Sequence, residues 1–341
     1  MAAALAATPG LEVSTSFSTD AEDPRNYSLD NDFPVRTYTS KMQLVLGLPR
    51  LLMIALRARQ FIRARDVGIV YSGMISIWQS LALHIMVPKT TTYVASIHDA
   101  QEHLGERHWL MRFCQWLELR RADVVVTYSS AVQSRIAERG VRAPVIMIPH
   151  GIDSPVTSSR EIHSGDVAVI GFFGRLVEYK GIDLFVRSIE RLREDGYNVR
   201  GAVYGNGDFD SSLQESSAPI DWHVGWIEED EIESIIDTFD VLALPYKEAS
   251  QSGVFTLAAA RAVPCVATPV GGLREQVESA ASGVVSESVD AVAFTRAVES
   301  ILRDPALYQS LSKAALEAAE ATSWPQVAKQ LMRALHGAAL N

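Results

Sequence analysis

Apolar and polar positions along the chain fall into two alternating rhythms. Residues 122–130 (ADVVVTYSS) hold a β-branched run, Val124, Val125 and Val126, that ends in small polar residues. The same shape recurs at 167–174 (VAVIGFFG), 200–207 (RGAVYGNG), 240–246 (DVLALPY) and 264–272 (PCVATPVGG). Continuous apolar runs bounded by Gly or Ser predict strands buried on both faces, hence a parallel sheet. Helical stripes lie between them. Ile232, Ile235, Ile236 and Phe239 sit at i, i+3, i+4 and i+7, and Phe185, Ile189 and Leu192 form a second stripe. Strand–helix alternation of this kind predicts α/β units joined by right-handed crossovers.

Residues 151–166 (GIDSPVTSSREIHSGD) break the rhythm with Ser, Gly, Asp and Pro155, and mark the best domain boundary. A length of 341 residues agrees with two domains. Open α/β sheets bind ligands beyond the carboxyl ends of their strands, so two such domains predict a cleft between those ends. The beginning departs from this plan. A doubly wound domain opens with a strand and a Gly-rich turn. This chain opens with the end of a helix, a Pro-Gly turn and then a strand over 11–17, so the usual first strand and loop are missing from the pattern. A truncated chain, a misassigned start or a differently built domain would each account for that.

Composition narrows the class. The chain is 48% hydrophobic and 21% charged, which excludes a disordered protein. Its net charge of −10 excludes non-specific nucleic-acid binding, which needs Lys and Arg against phosphates. Cys114 and Cys265 form no CxxC and read as reduced thiols of a cytosolic protein. The longest apolar stretch, 43–56, is interrupted by Pro49 and Arg50 and is too short for a membrane span. The opening MAAALAATPG lacks the basic n-region of a signal peptide.

Two segments carry candidate chemistry. In 171–181 (GFFGRLVEYKG) a buried strand ends at Gly174, Arg175 and Lys180 follow, and a helix begins near 181–183. Gly174 permits close backbone approach, and the helix start offers N–H groups and a positive dipole end. Two cations beyond a parallel strand suit a phosphate or diphosphate; as solvated surface bases they would mean nothing. In 245–272 a strand end is followed by Glu248, Ser250, Gln251, Ser252 and Gly253, and an alanine-rich helix starts near Val254. Ser and Gln there can bond ribose or sugar hydroxyls, or Ser250 or Ser252 can merely cap the helix. The D-x-D triplets Asp30–Asn31–Asp32 and Asp208–Phe209–Asp210 lie in turn-like sequence and do not define a metal site. Gly205–Asn206–Gly207 lacks the third glycine of a dinucleotide fingerprint, and the histidines show no ligand spacing.

The segments GRLVEYKG, GWIEEDE, ADVVVTYSS, IPHGID, VPCVATPVGGLRE and TSWPQVAKQLMRAL together resemble family 4 (group 1) glycosyltransferases. The resemblance implies the GT-B fold: two doubly wound Rossmann-like domains facing a central cleft, here with the first strand of the N-terminal domain missing. It implies an acceptor-side domain at 1–155, a nucleotide-sugar-binding domain at 160–322 and a C-terminal helix, 323–341, that crosses back to the first domain. It implies that Arg175 and Lys180 hold the donor diphosphate near Gly174, that Trp226 and Ile227 border the base, and that His98 faces the transferred sugar with Asp99 beside it. The implied activity is transfer of a sugar from a nucleotide-sugar donor to a glycan, lipid-linked or small-molecule acceptor, with retention, with no metal and no cofactor beyond the donor.

The family commonly carries two glutamates eight residues apart after the strand at 240–246. Aligned on VPCVAT, those positions hold Ala249 and Leu257, and Glu248 stands one residue early. The segment ASQSGV (249–254) resembles a family variant with a Ser-Gln-Ser-Gly turn in that place. Residues 41–65 carry Lys41, Arg50, Arg57, Arg59, Arg63 and Arg65 among Leu, Ile and Met. They predict either a core helix with a solvated basic face or peripheral contact with anionic lipid at the inner face of the membrane. The rival functions are an inactive or partner-dependent subunit that binds nucleotide sugar, and an epimerase or phosphorylase on the same fold.

Overall fold

The computed structural model describes residues 1–19, 29–99, 109–152, 156–161 and 167–339. They divide into two compact units. One takes the described residues up to Ile148 together with the last helix, and the other takes Pro149–Ser323.

The first unit opens with α1 (Ala2–Ala6), α2 (Lys41–Leu46) and α3 (Leu48–Ala64). It continues through β1 (Ile69–Ser72), α4 (Ile77–Met86), β2 (Thr92–Ile97), α5 (Trp109–Arg121), β3 (Val124–Thr127), α6 (Ser130–Glu138) and β4 (Val145–Met147). Its sheet is parallel in the order β1-β2-β3-β4. Alternate residues of the strands face opposite ways. Val94, Val124 and Val126 pack on one side, while Tyr93, Ala95, Ile97 and Val125 pack with α4 and α6 on the other.

Residues 11–17, expected as a strand, belong to neither sheet of the described residues. Their backbone groups are taken locally by 30–35: Phe33 N–H donates to Thr15 O at 3.1 Å, and Thr15 N–H donates to Asp32 at 2.9 Å. The basic stretch 41–65 is two helices. Gly47 closes α2, and Pro49 sits in the first turn of α3, where its missing N–H costs nothing. Leu51, Ala55, Ala58 and Ile62 bury one face of α3, partly against Trp78 and Ala82 of α4. Met42, Val45, Leu46, Leu48, Leu52, Met53 and Leu56 are exposed.

The second unit runs β5 (Ala168–Phe173), α7 (Ile182–Glu194), β6 (Val199–Gly205), β7 (Ile220–Val224), α8 (Glu229–Asp237), β8 (Val241–Leu244), α9 (Gly253–Ala260), β9 (Cys265–Ala267), α10 (Gly271–Ala280), β10 (Gly283–Val285), α11 (Ala291–Arg303) and α12 (Pro305–Ala321). The final helix, α13 (Trp324–Ala339), lays Val327, Leu331 and Leu335 on the first unit's sheet beside Leu5 of α1. The second sheet is parallel in the order β10-β9-β8-β5-β6-β7. Leu242 and Leu244 of β8 meet α9, while Val241 and Ala243 meet α7 and α11, so both faces are covered. The entry to this unit is fastened by Arg160. Its guanidinium donates to Asp237 and to the carbonyls of Asp237, Phe239 and Arg261, and Arg261 pairs with Asp237 as well.

Of the expected boundary at 151–166, residues 153–155 and 162–166 lie outside the described residues. The two D-x-D triplets have structural partners. Asp32 pairs with Arg65 at 3.6 Å, and Asp210 accepts from Ser212 N–H at the start of a 3-10 turn.

Candidate functional site

In the second sheet the chain starts at β5, winds outward through β6 and β7, then returns to the other side of β5 at β8. Two crossovers of one hand but opposite direction put helices on opposite faces. The gap they leave beyond the carboxyl ends of β5 and β8 is where open α/β sheets take ligands. Both candidate segments of this unit end there.

The β5 end turns at Gly174, whose φ of +121° suits glycine alone. Val254, at the start of α9, abuts it: a Cβ built on Gly174 would lie 3.5 Å from Val254 Cγ2. Arg175 follows, exposed, and its guanidinium donates to the Tyr179 hydroxyl at 2.5 Å. Lys180 closes a 3-10 turn (Glu178–Lys180), and α7 then starts from Gly181 at φ +71°. A Cβ on Gly181 would sit 1.9 Å from the carbonyl oxygen of Pro245, so the two strand ends pack backbone against backbone. Lys247 N–H donates to Tyr179 O at 2.7 Å, and Lys247 Nζ meets Asp183 at 2.9 Å.

Tyr246 lies beneath these contacts, 1% exposed. Lys180 Nζ stands 3.7 Å from the centroid of its ring. Burial pushes the Tyr246 hydroxyl up to about 12, so it is a neutral phenol near pH 7. That hydroxyl is 3.1 Å from Ser252 Oγ, and Ser252 caps α9 by accepting from Phe255 N–H. From α10, Gln276 grips the same residue on both sides. Ser252 N–H donates to Gln276 Oε1 at 2.9 Å, and Gln276 Nε2 donates to Ser252 O at 3.1 Å.

Gly174, Arg175, Lys180, Glu248, Ser250, Gln251, Ser252, Gly253 and Val254 therefore flank one gap between β5 and β8. Ser250 is buried, Glu248, Gln251 and Val254 are half-buried, and Gly253 is exposed. Trp226 and Ile227 lie on the same strand-end edge, past β7. Trp226 is 71% exposed, and His223, three residues before it, stacks flat on Tyr204 with 4.2 Å between centroids. His98 and Asp99 belong to the other unit, directly after β2. His98 Nε2 is 2.9 Å from the carbonyl of Gly73, so that nitrogen donates, and its ring lies 4.6 Å from Tyr128. The carbonyl of Asp99 accepts from Gln115. Sequence reasoning missed Tyr246 and Gln276. Tyr246 reads as one more strand-end aromatic, and the contact of Gln276 spans two elements. Among the described residues there is no group of three or more His, Cys, Asp or Glu that could hold a metal ion.

Comparison with known proteins decides the class. Residues 2–154 match the family model described as Glycosyltransferase Family 4, and residues 167–304 match that described as Glycosyl transferases group 1. The chain belongs to the family 4, group 1 glycosyltransferases. Among its relatives is the GDP-mannose-dependent alpha-(1-6)-phosphatidylinositol monomannoside mannosyltransferase of Mycolicibacterium smegmatis, 29% identical over 278 residues, 74% of this chain and 72% of the relative. A sucrose-phosphate synthase from Thermosynechococcus elongatus aligns over 94% of this chain and 88% of its own, with a TM-score of 0.68 at 19% identity. The Anabaena protein HepE, solved in complex with UDP-glucose, aligns over 89% and 86% with a TM-score of 0.69 at 17% identity. The glycosyltransferase has the GT-B fold, and among its described residues no helix is long and apolar enough to cross a membrane.

Proposed function

We propose that this glycosyltransferase transfers a sugar, with retention, from a nucleotide-sugar donor bound by the second unit to a glycan, lipid-linked or small-molecule acceptor on the side of the first. The observation that carries the reading is the meeting of Arg175, Lys180 and the amino end of α9 at the β5/β8 gap. Departure of the nucleoside diphosphate leaves negative charge on its oxygens while positive charge grows on the sugar ring. A guanidinium, an ammonium and unpaired helix N–H groups aimed at those oxygens stabilise that charge without a metal or further cofactor. Ala249 and Leu257 stand where the family commonly carries glutamate, and the neighbouring Ser250, Gln251 and Ser252 supply neutral groups for ribose or sugar hydroxyls. Trp226 and Ile227 border the base. His98 faces the transferring sugar, its ring orientation set by Gly73 and Tyr128, with Asp99 beside it.

The same reading includes peripheral contact with anionic lipid at the inner face of the cytoplasmic membrane. It is supported by the exposed apolar side chains of α2 and α3 and by exposed Arg50, Arg57 and Arg63 on α3. No Asp or Glu occurs from residue 33 to 65. An amphipathic surface of this charge fits a headgroup layer.

A thermal-shift panel with UDP, GDP, ADP, CMP and their sugar conjugates tests the donor site. Ligand at about 100 Kd stabilises the folded state by roughly 2.7 kcal/mol. A shift with one nucleotide that Arg175→Ala abolishes supports the assignment and names the base. No shift with any of them defeats it.

A further inference from the structure

The donor-site reading gives Lys180 and the amino end of α9 one shared task, yet they come from different crossovers. Something must hold them at a fixed separation. We infer that Tyr246 is the positioning residue that does so, carrying the Lys180 ammonium on its ring face and the α9 cap on its hydroxyl.

Three observations converge. The Lys180 Nζ to ring distance of 3.7 Å lies well inside the roughly 6 Å reach of a cation–π contact. The ring is buried, so that attraction is little weakened by water. The hydroxyl meets Ser252 Oγ at 3.1 Å, and Ser252 is the residue whose side chain caps α9. Tyr246 is itself fixed from outside the site: Thr268 Oγ1 donates to its carbonyl at 2.5 Å. Ser252 is likewise fixed by the two bonds from Gln276. Tyr246 thus links two anion-binding elements while its neighbours leave it little freedom. A lysine loses much rotamer entropy when it is held, and an ammonium already held over a ring pays part of that cost before the ligand arrives.

This inference rests on the proposal that Lys180 binds the donor diphosphate, and the test separates the two. Binding of UDP, GDP and ADP is measured by calorimetry on the full chain, and the tightest binder is carried through the variants. Lys180→Ala weakens it about 10- to 100-fold, the range for a lost bond to a charged group. Tyr246→Leu weakens it roughly 3- to 30-fold, the range for a desolvated cation–π contact. Tyr246→Leu costs less in the Lys180→Ala background than in the wild type, because both changes remove the one Lys180–ring contact and only the loss of the Ser252 bond remains to be added. Tyr246→Phe keeps the ring and retains most of the affinity, and it covers the case in which Tyr246→Leu fails to fold.

If no nucleoside diphosphate binds, or if Lys180→Ala binds like wild type, the donor-site reading falls and this inference with it. If Lys180→Ala is weak while folded Tyr246→Leu binds like wild type, or if the two losses multiply in the double variant, the inference alone is overturned. Should Tyr246→Leu not fold, Tyr246→Phe in both backgrounds decides. A full Lys180 effect retained in Tyr246→Phe supports the ring as the platform, and a lost one overturns it.

Discussion

The two units share a local grammar of parallel strands and crossover helices, and differ in how they are wound and charged. The second sheet reverses direction between β5 and β8, whereas the described strands of the first run in sequence from β1 to β4. The second unit gathers glycines, cations and a capped helix at its reversal. The first exposes side chains that most proteins hide. Among the described residues, 15 of the exposed large hydrophobics lie in residues 1–148 and five in residues 149–323. Residues 1–148 and 324–341 carry 18 Lys and Arg against 13 Asp and Glu, while residues 149–323 carry 13 against 28. A strongly acidic unit that nevertheless collects Arg175 and Lys180 at one gap fits the proposal that they receive an anion. A basic unit with exposed leucines is suited to a surface that is both anionic and apolar.

The sharpest way to break that comparison is to remove the second unit's cations. Arg175→Ala and Lys180→Ala each lower kcat by about 10²–10³, the usual cost of one preorganised donor to a developing negative charge. Arg175 is exposed in a loop and Lys180 half-buried at the end of a 3-10 turn, so the fold is expected to survive both changes, which circular dichroism and melting check. Sugar transfer within about threefold of wild type in both variants would remove the gap from the mechanism.

The first unit is tested by its opposite. Leu52 and Leu56 are 52% and 53% exposed, so Leu52→Glu with Leu56→Glu leaves the core of α3 intact. Flotation with vesicles containing anionic lipid is expected to fall at least about tenfold, since two apolar anchors are lost and two charges repel the surface. Added salt weakens binding of the wild type, and purely zwitterionic vesicles bind less. Equal flotation of variant and wild type would show that α3 takes no part in lipid contact.

Much of this division was legible in the sequence. Strands at 124–127, 168–173 and 241–244 announce themselves because a strand buried on both faces has no polar alternation to hide it. The helix stripe at 185, 189 and 192 is equally plain, and the glycine turn at 174 with its two following cations stands out in the sequence itself. The rest depended on contacts the chain does not encode locally. Residues 11–17 have strand composition, but 30–35 take their hydrogen bonds. The helix over 41–65 is interrupted where Pro49, having no N–H, cannot extend α2, and position 47 must be glycine because a Cβ there would lie 2.4 Å from the ring of Trp78, 31 residues away. Gln276 looks like any surface amide until α10 folds over Ser252.

Two carboxyl groups carry the comparison into stability. The second unit keeps Asp237 partly exposed between the guanidinium groups of Arg160 and Arg261. Asp237→Ala removes the acceptor for both and costs about 1–3 kcal/mol, the range for bonds to charged groups. In a unit of this size that lowers Tm by about 3–10 °C. A Tm within a degree of wild type would mean that the carbonyl bonds of Arg160 suffice alone.

The first unit instead buries Glu118 completely, with the hydroxyls of Ser80 and Tyr93 donating to it. Burial is the main cause that raises its carboxyl above the ordinary 4.5. The sign follows from proton counting. Above pH 4.5 the unfolded chain has released this proton while the folded chain still holds it, so rising pH favours unfolding. The destabilisation grows by at most about 1.4 kcal/mol per pH unit until the folded carboxyl also ionises, and is constant beyond. Glu118→Gln has the same shape and no proton to lose, and it should lack this decline. Urea unfolding between pH 4 and pH 7 gives both curves. They are expected to run parallel below 4.5 and to diverge above it as the wild type falls. Curves that stay parallel throughout would mean that the buried carboxyl of the first unit is as well paired as the surface carboxyl of the second, and that the two units handle charge alike.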